Sequence, residues 1–163
     1  MKPAWRNNRQ GVLSPTRPNE GRPAVFKTVL HANDGSEPAF RALMLAIDIA
    51  KQNAAALHLV CVEEIPPMPE YLEEIREAKG TAARRFHTVV ERARHLARAR
   101  DLDLHVHVLS GHPVRMIVDL VPRLGADLLV IGATGHSALY ERLIGSRADR
   151  IVQLSPCPVL VAK

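Results

Sequence analysis

ADLLVIG (126–132) is apolar almost throughout and ends on a glycine. A strand with one wet face alternates polar and apolar side chains, whereas a continuously apolar one is covered on both faces. Such strands belong to sheets with helices packed on either side. The neighbouring sequence agrees. Upstream, Pro113 opens a predicted helix with Val114, Ile117, Val118 and Val121 on one face, and Gly125 closes it where a left-handed cap is preferred. Downstream, a helix is expected over Ser146–Leu154 and a last strand over PCPVLVAK (156–163).

The pattern extends to the front of the chain. VFKTVLHAN (25–33) reads as the first strand. Ser36 is placed to cap a helix with Pro38 in its first turn and an apolar stripe at Ala39, Leu43, Ala46, Ile47 and Ala50. ALHLVCVEE (56–64) is a second strand, with Leu57, Leu59 and Cys61 on one face and His58, Val60 and Val62 on the other. After the breaker-rich IPPMP (65–69), a long helix is predicted from about 70 to 98, with Gly80 as a possible bend. DLHVHVL (103–109) is the third strand. Five strands alternating with four helices predict an α/β domain: a doubly wound, mostly parallel sheet with helices on both faces. Ligands in such sheets sit beyond the carboxyl ends of the strands, at the switch in strand order. The loops after residues 33, 62, 110 and 132 are therefore the ones to inspect.

Bulk properties narrow the function. The 163 residues suit one domain, and nearly half of them are apolar, which argues against global disorder. No apolar run is long enough to cross a bilayer, and the N-terminus lacks the hydrophobic core of a secretion signal. Cys61 and Cys157 have no metal-type spacing and suit a reducing cytoplasm. The net charge of +5 is concentrated in residues 1–24, where five basic residues face one acid, Glu20. The remainder is close to neutral, so no nucleic-acid surface is expected. With four prolines and little apolar clustering, residues 1–23 are expected to be a flexible basic tail, leaving 24–163 as the folded domain.

The loop after the fourth strand carries the chemistry. It reads Gly132-Ala-Thr-Gly135, then nine residues, then Gly145-Ser146 at a helix start. Gly132 is expected to let the chain turn off the strand, and Gly135 to let backbone amides approach a phosphate. Gly145 and Ser146 set free N–H groups at a helix N-terminus, where the dipole favours an anion. A plain turn and helix cap would use the same glycines. Neither the Walker loop nor the dinucleotide fingerprint is present.

This G-x2-G-x9-G-S spacing resembles the nucleotide-binding signature of the universal stress protein family, in its ATP-binding branch. GADLLVIGATGHSALYERLIGSRADRIVQLSPCPVLVAK (125–163) is similar to that family's C-terminal block, and VLHANDGSEPA (29–39) to its first strand and turn. The resemblance implies a Rossmann-like domain that holds ATP, or ADP or AMP, with Mg²⁺ able to bridge phosphate oxygens. It also implies a regulatory role in stress response and no catalytic residues. Asn33 and Asp34 match the adenosine end, and Val62 (or Val60) the residue whose backbone meets adenine. Ile131, Gly132, Ala133, Gly135, His136, Gly145, Ser146 and Arg147 match the phosphate and ribose positions. His31, Asn33 and Arg147 depart from the family's usual residues. The resemblance further implies a homodimer through the exposed edge of 157–163. The alternatives are an ATP-using enzyme of related fold, through slow hydrolysis or nucleotidyl transfer, and a partner-binding domain without nucleotide.

Other constellations carry less. His105 and His107 share a strand face and His112 follows, but a tetrahedral metal site needs three or four convergent ligands, so no metal is expected. Glu63-Glu64 and Glu73-Glu74 are adjacent in sequence, so the side chains of each pair should diverge. The arginines of 84–100 read as a solvated helix face.

Overall fold

The computed structural model describes residues 25–64, 72–134 and 144–163 (in 72–83 the backbone only). The expected tail, the 65–69 loop, Gly135, His136 and the Glu73-Glu74 side chains lie outside the described residues.

The elements alternate as β1 (Thr28–Ala32), α1 (Glu37–Asn53), β2 (Ala56–Glu64), α2 (Leu72–Arg98), β3 (Leu104–Gly111), α3 (Pro113–Leu124), β4 (Leu128–Gly132), α4 (Ser146–Leu154) and β5 (Val159–Ala162). The sheet order is β3-β2-β1-β4-β5, and all four pairings are parallel. The chain winds outward from β1 in both directions, so the switch in order falls between β1 and β4.

Both faces of the sheet are covered. On one, Leu43 and Ile47 of α1 and Phe86, Val90 and Ala93 of α2 pack with Val29, Leu57, Leu59, Cys61 and Val130. On the other, Val114, Ile117 and Val121 of α3 and Ile151 of α4 pack with Leu30, Val60, Leu129 and Ile131. The four residues Leu128–Ile131 are all buried, which is why β4 reads as an unbroken apolar run. Ser36 caps α1 by accepting the Ala39 N–H at 3.3 Å, and Gly125, at φ 61, closes α3 in the left-handed region.

Several strands are shorter than the apolar pattern predicts, because side chains intercept their backbone. Asp127 accepts the N–H groups of Lys27 and Thr28 at 2.8 and 3.0 Å, tying the start of β1 to the residue just before β4. The Asn53 side-chain Oδ1 accepts the Val25 N–H at 3.0 Å. At the other end, Pro156 and Pro158 delay β5 to Val159. No helix among the described residues is long and apolar enough to cross a membrane.

Candidate functional site

A cavity of about 550 Å³ opens at the carboxyl edge of the sheet, over the β1–β4 switch. That volume suits a ligand of nucleotide size. Of the residues singled out above, Asn33, Asp34, Val62, Ile131, Gly132, Ala133, Gly145, Ser146 and Arg147 all line it. They come from the turn after β1, from β2, from the end of β4 and the residue after it, and from the start of α4, so the winding of the chain unites positions more than a hundred residues apart.

The turn after β1 is built from interlocking Asx turns. Asn33 Oδ1 accepts the Gly35 N–H at 2.8 Å, and Asp34 Oδ1 accepts the Ser36 N–H at 3.0 Å. Gly35 has φ 87, which an L side chain rarely adopts. Asp34 is exposed at the cavity wall, whereas Asn33 is buried with its side chain directed inward to His31. Asn33 therefore shapes the wall from behind.

The opposite wall is the N-terminus of α4. Gly145 is its N-cap residue, and no side chain caps the helix. The Gly145 N–H is engaged by the Ala133 carbonyl at 2.7 Å, while the first intrahelical bond begins at the Asp149 N–H. This leaves the amides of Ser146, Arg147 and Ala148, the first turn, without intrahelical acceptors. All three residues line the cavity.

The two glycines of this wall do different things. A Cβ on Gly132 would lie 3.2–3.3 Å from backbone atoms of Pro38 and Ala39. Gly132 lacks a positive φ, so the sharp turn expected of it is not its reason: glycine allows β4 to approach the start of α1. Gly145, at φ −62 and ψ 150, would set a Cβ only against the Ala133 carbonyl oxygen at 3.4 Å and Thr134 Cα at 3.8 Å. The fold would accept a side chain there.

Charge at the mouth is paired. Arg147 is exposed at the mouth and ion-paired with Glu64 at the end of β2. Glu63, beside it, points the other way to Arg85 on α2 at 2.9 Å, so the Glu63–Glu64 side chains diverge as expected. Glu64 and Arg85 line the cavity, and sequence reasoning missed both as site residues. Only the register of β2 against the helices brings them there, and single-residue patterns do not encode it.

His105 and His107 gather with His58 of β2 rather than with His112. The His58–His105 ring centroids are 4.8 Å apart, and His58 Nδ1 lies 3.1 Å from His107 Nε2. The rings stack instead of converging on a point, and no cluster suited to a metal ion occurs among the described residues.

These features have counterparts in known proteins. The model of the universal stress protein family matches residues 26–163. A universal stress protein of Methanocaldococcus jannaschii is 30% identical over 147 residues, covering 85% of this chain and 83% of its own. Among solved structures, the universal stress protein of Lactobacillus plantarum superimposes with a TM-score of 0.73 at 25% identity, covering 84% of this chain and 97% of that one. A universal stress protein in complex with cAMP superimposes with a TM-score of 0.66 at 26% identity, over 85% and 97%. With the family model spanning the whole described domain, the chain belongs to the universal stress protein family.

Proposed function

We propose that the cavity binds an adenine nucleotide (ATP, ADP or AMP) and that the protein is a nucleotide-dependent regulatory module. The observation that carries this reading is the first turn of α4, whose three amides line the cavity without a capping side chain. Helix N-termini of this kind take phosphate, because N–H groups and dipole act together. Phosphate oxygens would replace the missing cap. The complex of a family member with cAMP supports the same ligand class.

The remaining walls fit the rest of a nucleotide. Val60 and Val62 offer an apolar surface at the end of β2 for a base, and the Asp34 carboxylate offers acceptors for ribose hydroxyls. Mg²⁺, if bound, would be held mainly by phosphates and water, as that ion prefers. The reading is of a binding protein, not a catalyst. Beneath the cavity His31 has both ring nitrogens hydrogen-bonded, which leaves neither as a general base.

Calorimetry with AMP, ADP and ATP tests the claim, with binding expected for at least one of them. Heat-free titrations with all three would refute it. Turnover of labelled ATP well above a buffer control would replace the regulatory reading with the enzymatic one.

We also propose a homodimer through β5. Its outer edge has no partner strand among the described residues, and its side chains are half-buried. An unpaired apolar edge is an invitation to a second strand.

A further inference from the structure

His31 stands in β1 with no solvent exposure, on the sheet face that α1 covers. A polar ring in an apolar strand costs free energy unless both nitrogens are satisfied. Here both are, and each partner settles where the proton sits. The Val130 carbonyl, 3.0 Å from Nδ1, can only accept, so Nδ1 carries the hydrogen. The Asn33 Nδ2 group, 3.2 Å from Nε2, can only donate, so Nε2 is bare.

Asn33 is fixed by the same logic. Its Oδ1 accepts the Gly35 N–H, so flipping the amide would set donor against donor at Gly35 and acceptor against bare nitrogen at His31. The result is a chain with one direction. Gly35 N–H donates to Asn33, Asn33 donates to His31, and His31 donates to Val130. It begins in the turn that carries Asp34 and ends on β4, across the switch point from which the cavity opens. On the other side, the Asn33 backbone N–H donates to the Val60 carbonyl of β2 at 2.9 Å. Asn33 is thereby tied to both strands that flank β1.

We propose that His31 is a positioning residue for the cavity: as the neutral Nδ1–H tautomer it fixes Asn33, and through it the Asp34–Gly35 turn, in the conformation that presents Asp34 to the bound nucleotide. The inference rests on the nucleotide reading given above. Burial opposes the charged ring, holding its pKa down to about 4 against the pull of the Val130 and Ala39 backbone and of the Asp34 carboxylate, so the neutral form persists at ordinary pH. Replacing the ring with an apolar group would orphan the Asn33 amide inside the protein and free the turn to reorient.

The test combines ring and backbone NMR with calorimetry, using AMP as the probe. In the wild type, long-range ¹⁵N spectra should show His31 as the Nδ1–H tautomer, with the Gly35 amide protected from exchange. In His31→Val, Gly35 exchange should accelerate and AMP affinity should fall roughly tenfold, the worth of one well-placed hydrogen bond. His31→Gln, which keeps one donor and one acceptor on a planar group, should restore both properties. An Nε2–H or doubly protonated His31 at neutral pH would overturn the proposal, even if His31→Val did not fold. So would a folded His31→Val with unchanged Gly35 exchange and unchanged AMP affinity. A wild type that binds no adenine nucleotide, yet shows the Nδ1–H ring and the Gly35 response, would sink the nucleotide reading and leave the relay standing.

Discussion

Gly132 at the end of β4 lies so close to Pro38 that a Cβ on it would meet the proline carbonyl carbon at 3.2 Å. The neighbour is backbone in the first turn of α1, so it cannot swing aside as a long side chain would. Gly132→Ala should therefore force β4 and α1 apart, at a cost of about 1–3 kcal/mol typical of overpacking. Urea denaturation of the nucleotide-free protein measures it. A cost near zero would show that the contact is loose.

Gly145 should behave in the opposite way. Gly145→Asp would put a carboxylate at an N-cap that has no side-chain cap, in backbone geometry that suits one. The free protein should gain about 0.5–1 kcal/mol from the cap and the helix dipole. The same carboxylate would occupy the amides proposed for phosphate and repel it. Thermal melting should thus rise without nucleotide, while the rise on adding nucleotide should disappear. Retained nucleotide affinity in this variant would move the phosphate site elsewhere.

Glu64→Gln should release Arg147 from its ion pair while leaving it at the start of α4. Exposed pairs are worth only about 0.2–1 kcal/mol, so nucleotide affinity should improve by no more than about fivefold. The gain should shrink as salt is added. Weaker binding by Glu64→Gln would mean that Glu64 itself contacts the ligand.

The tie between Asp127 and the start of β1 offers a test of the fold alone. Asp127→Ala leaves the N–H groups of Lys27 and Thr28 without their shared acceptor. Hydrogen bonds to a charged group are worth about 1.5–3 kcal/mol, discounted here because the Lys27 amide is exposed, so a loss of about 2 kcal/mol is expected. The nucleotide-free melting curve reads it.

The topology was legible because burial leaves its mark on single residues. An unbroken Leu128–Ile131 run signals two covered faces, and the split of β2 into Leu57, Leu59 and Cys61 against His58, Val60 and Val62 matches the two cores. The cavity was legible in outline, since turn residues after β1 and helix-start residues after β4 must meet at one edge in any doubly wound sheet. What escaped depends on register and reach. Nothing in the order of residues places His58 beside His105 and His107; the β2–β3 alignment does. The Arg147–Glu64 pair spans 83 positions, and the role of Gly132 depends on where α1 begins. Asn33 lines the cavity as the sequence suggested, but its hydrogen bond to His31, two residues back in β1, is a contact that no motif announces.

Stability should fall as the solution is acidified from neutral pH. Burial holds His31 at about 4, below its ordinary 6.5. Burial also lowers His58, with the charges of His105 and His107 adding to the effect, and it lowers His107, where His105 adds. In each case the unfolded chain takes up a proton that the native state resists. The native state's advantage is whole above 6.5 and drains away as pH falls toward the folded pKa values. For His31 the slope approaches about 1.4 kcal/mol per pH unit in the middle of that window. Denaturation midpoints measured from neutral pH to about pH 5 should show the decline. His31→Val should flatten it, even though that variant starts less stable. An identical slope would mean that His31 is already charged, or that another group controls acid stability.

The last prediction concerns the edge of β5. In the parallel β4–β5 ladder, Leu129 N–H donates to the Pro158 carbonyl and Ala133 N–H to the Ala162 carbonyl. By the alternation of such ladders, the backbone groups of Leu160 also face β4, while those of Val159 and Val161 face outward. Leu160 packs on the core shared by α1 and α2, so changing it would damage the monomer along with any interface. Val161 is the cleaner probe. Val161→Pro removes one outward N–H, keeps the inner ladder, and retains an apolar group; an edge strand tolerates that change. If a second chain pairs with β5, the variant should weaken the dimer by more than tenfold, since it loses a bond and meets a ring in the partner's path. Light scattering at micromolar concentration should show the wild type at twice the chain mass and the variant shifted toward monomer, with little change in its circular dichroism. A wild type found only as monomer would dispose of the dimer, and an unaffected dimer in Val161→Pro would place the interface on another surface.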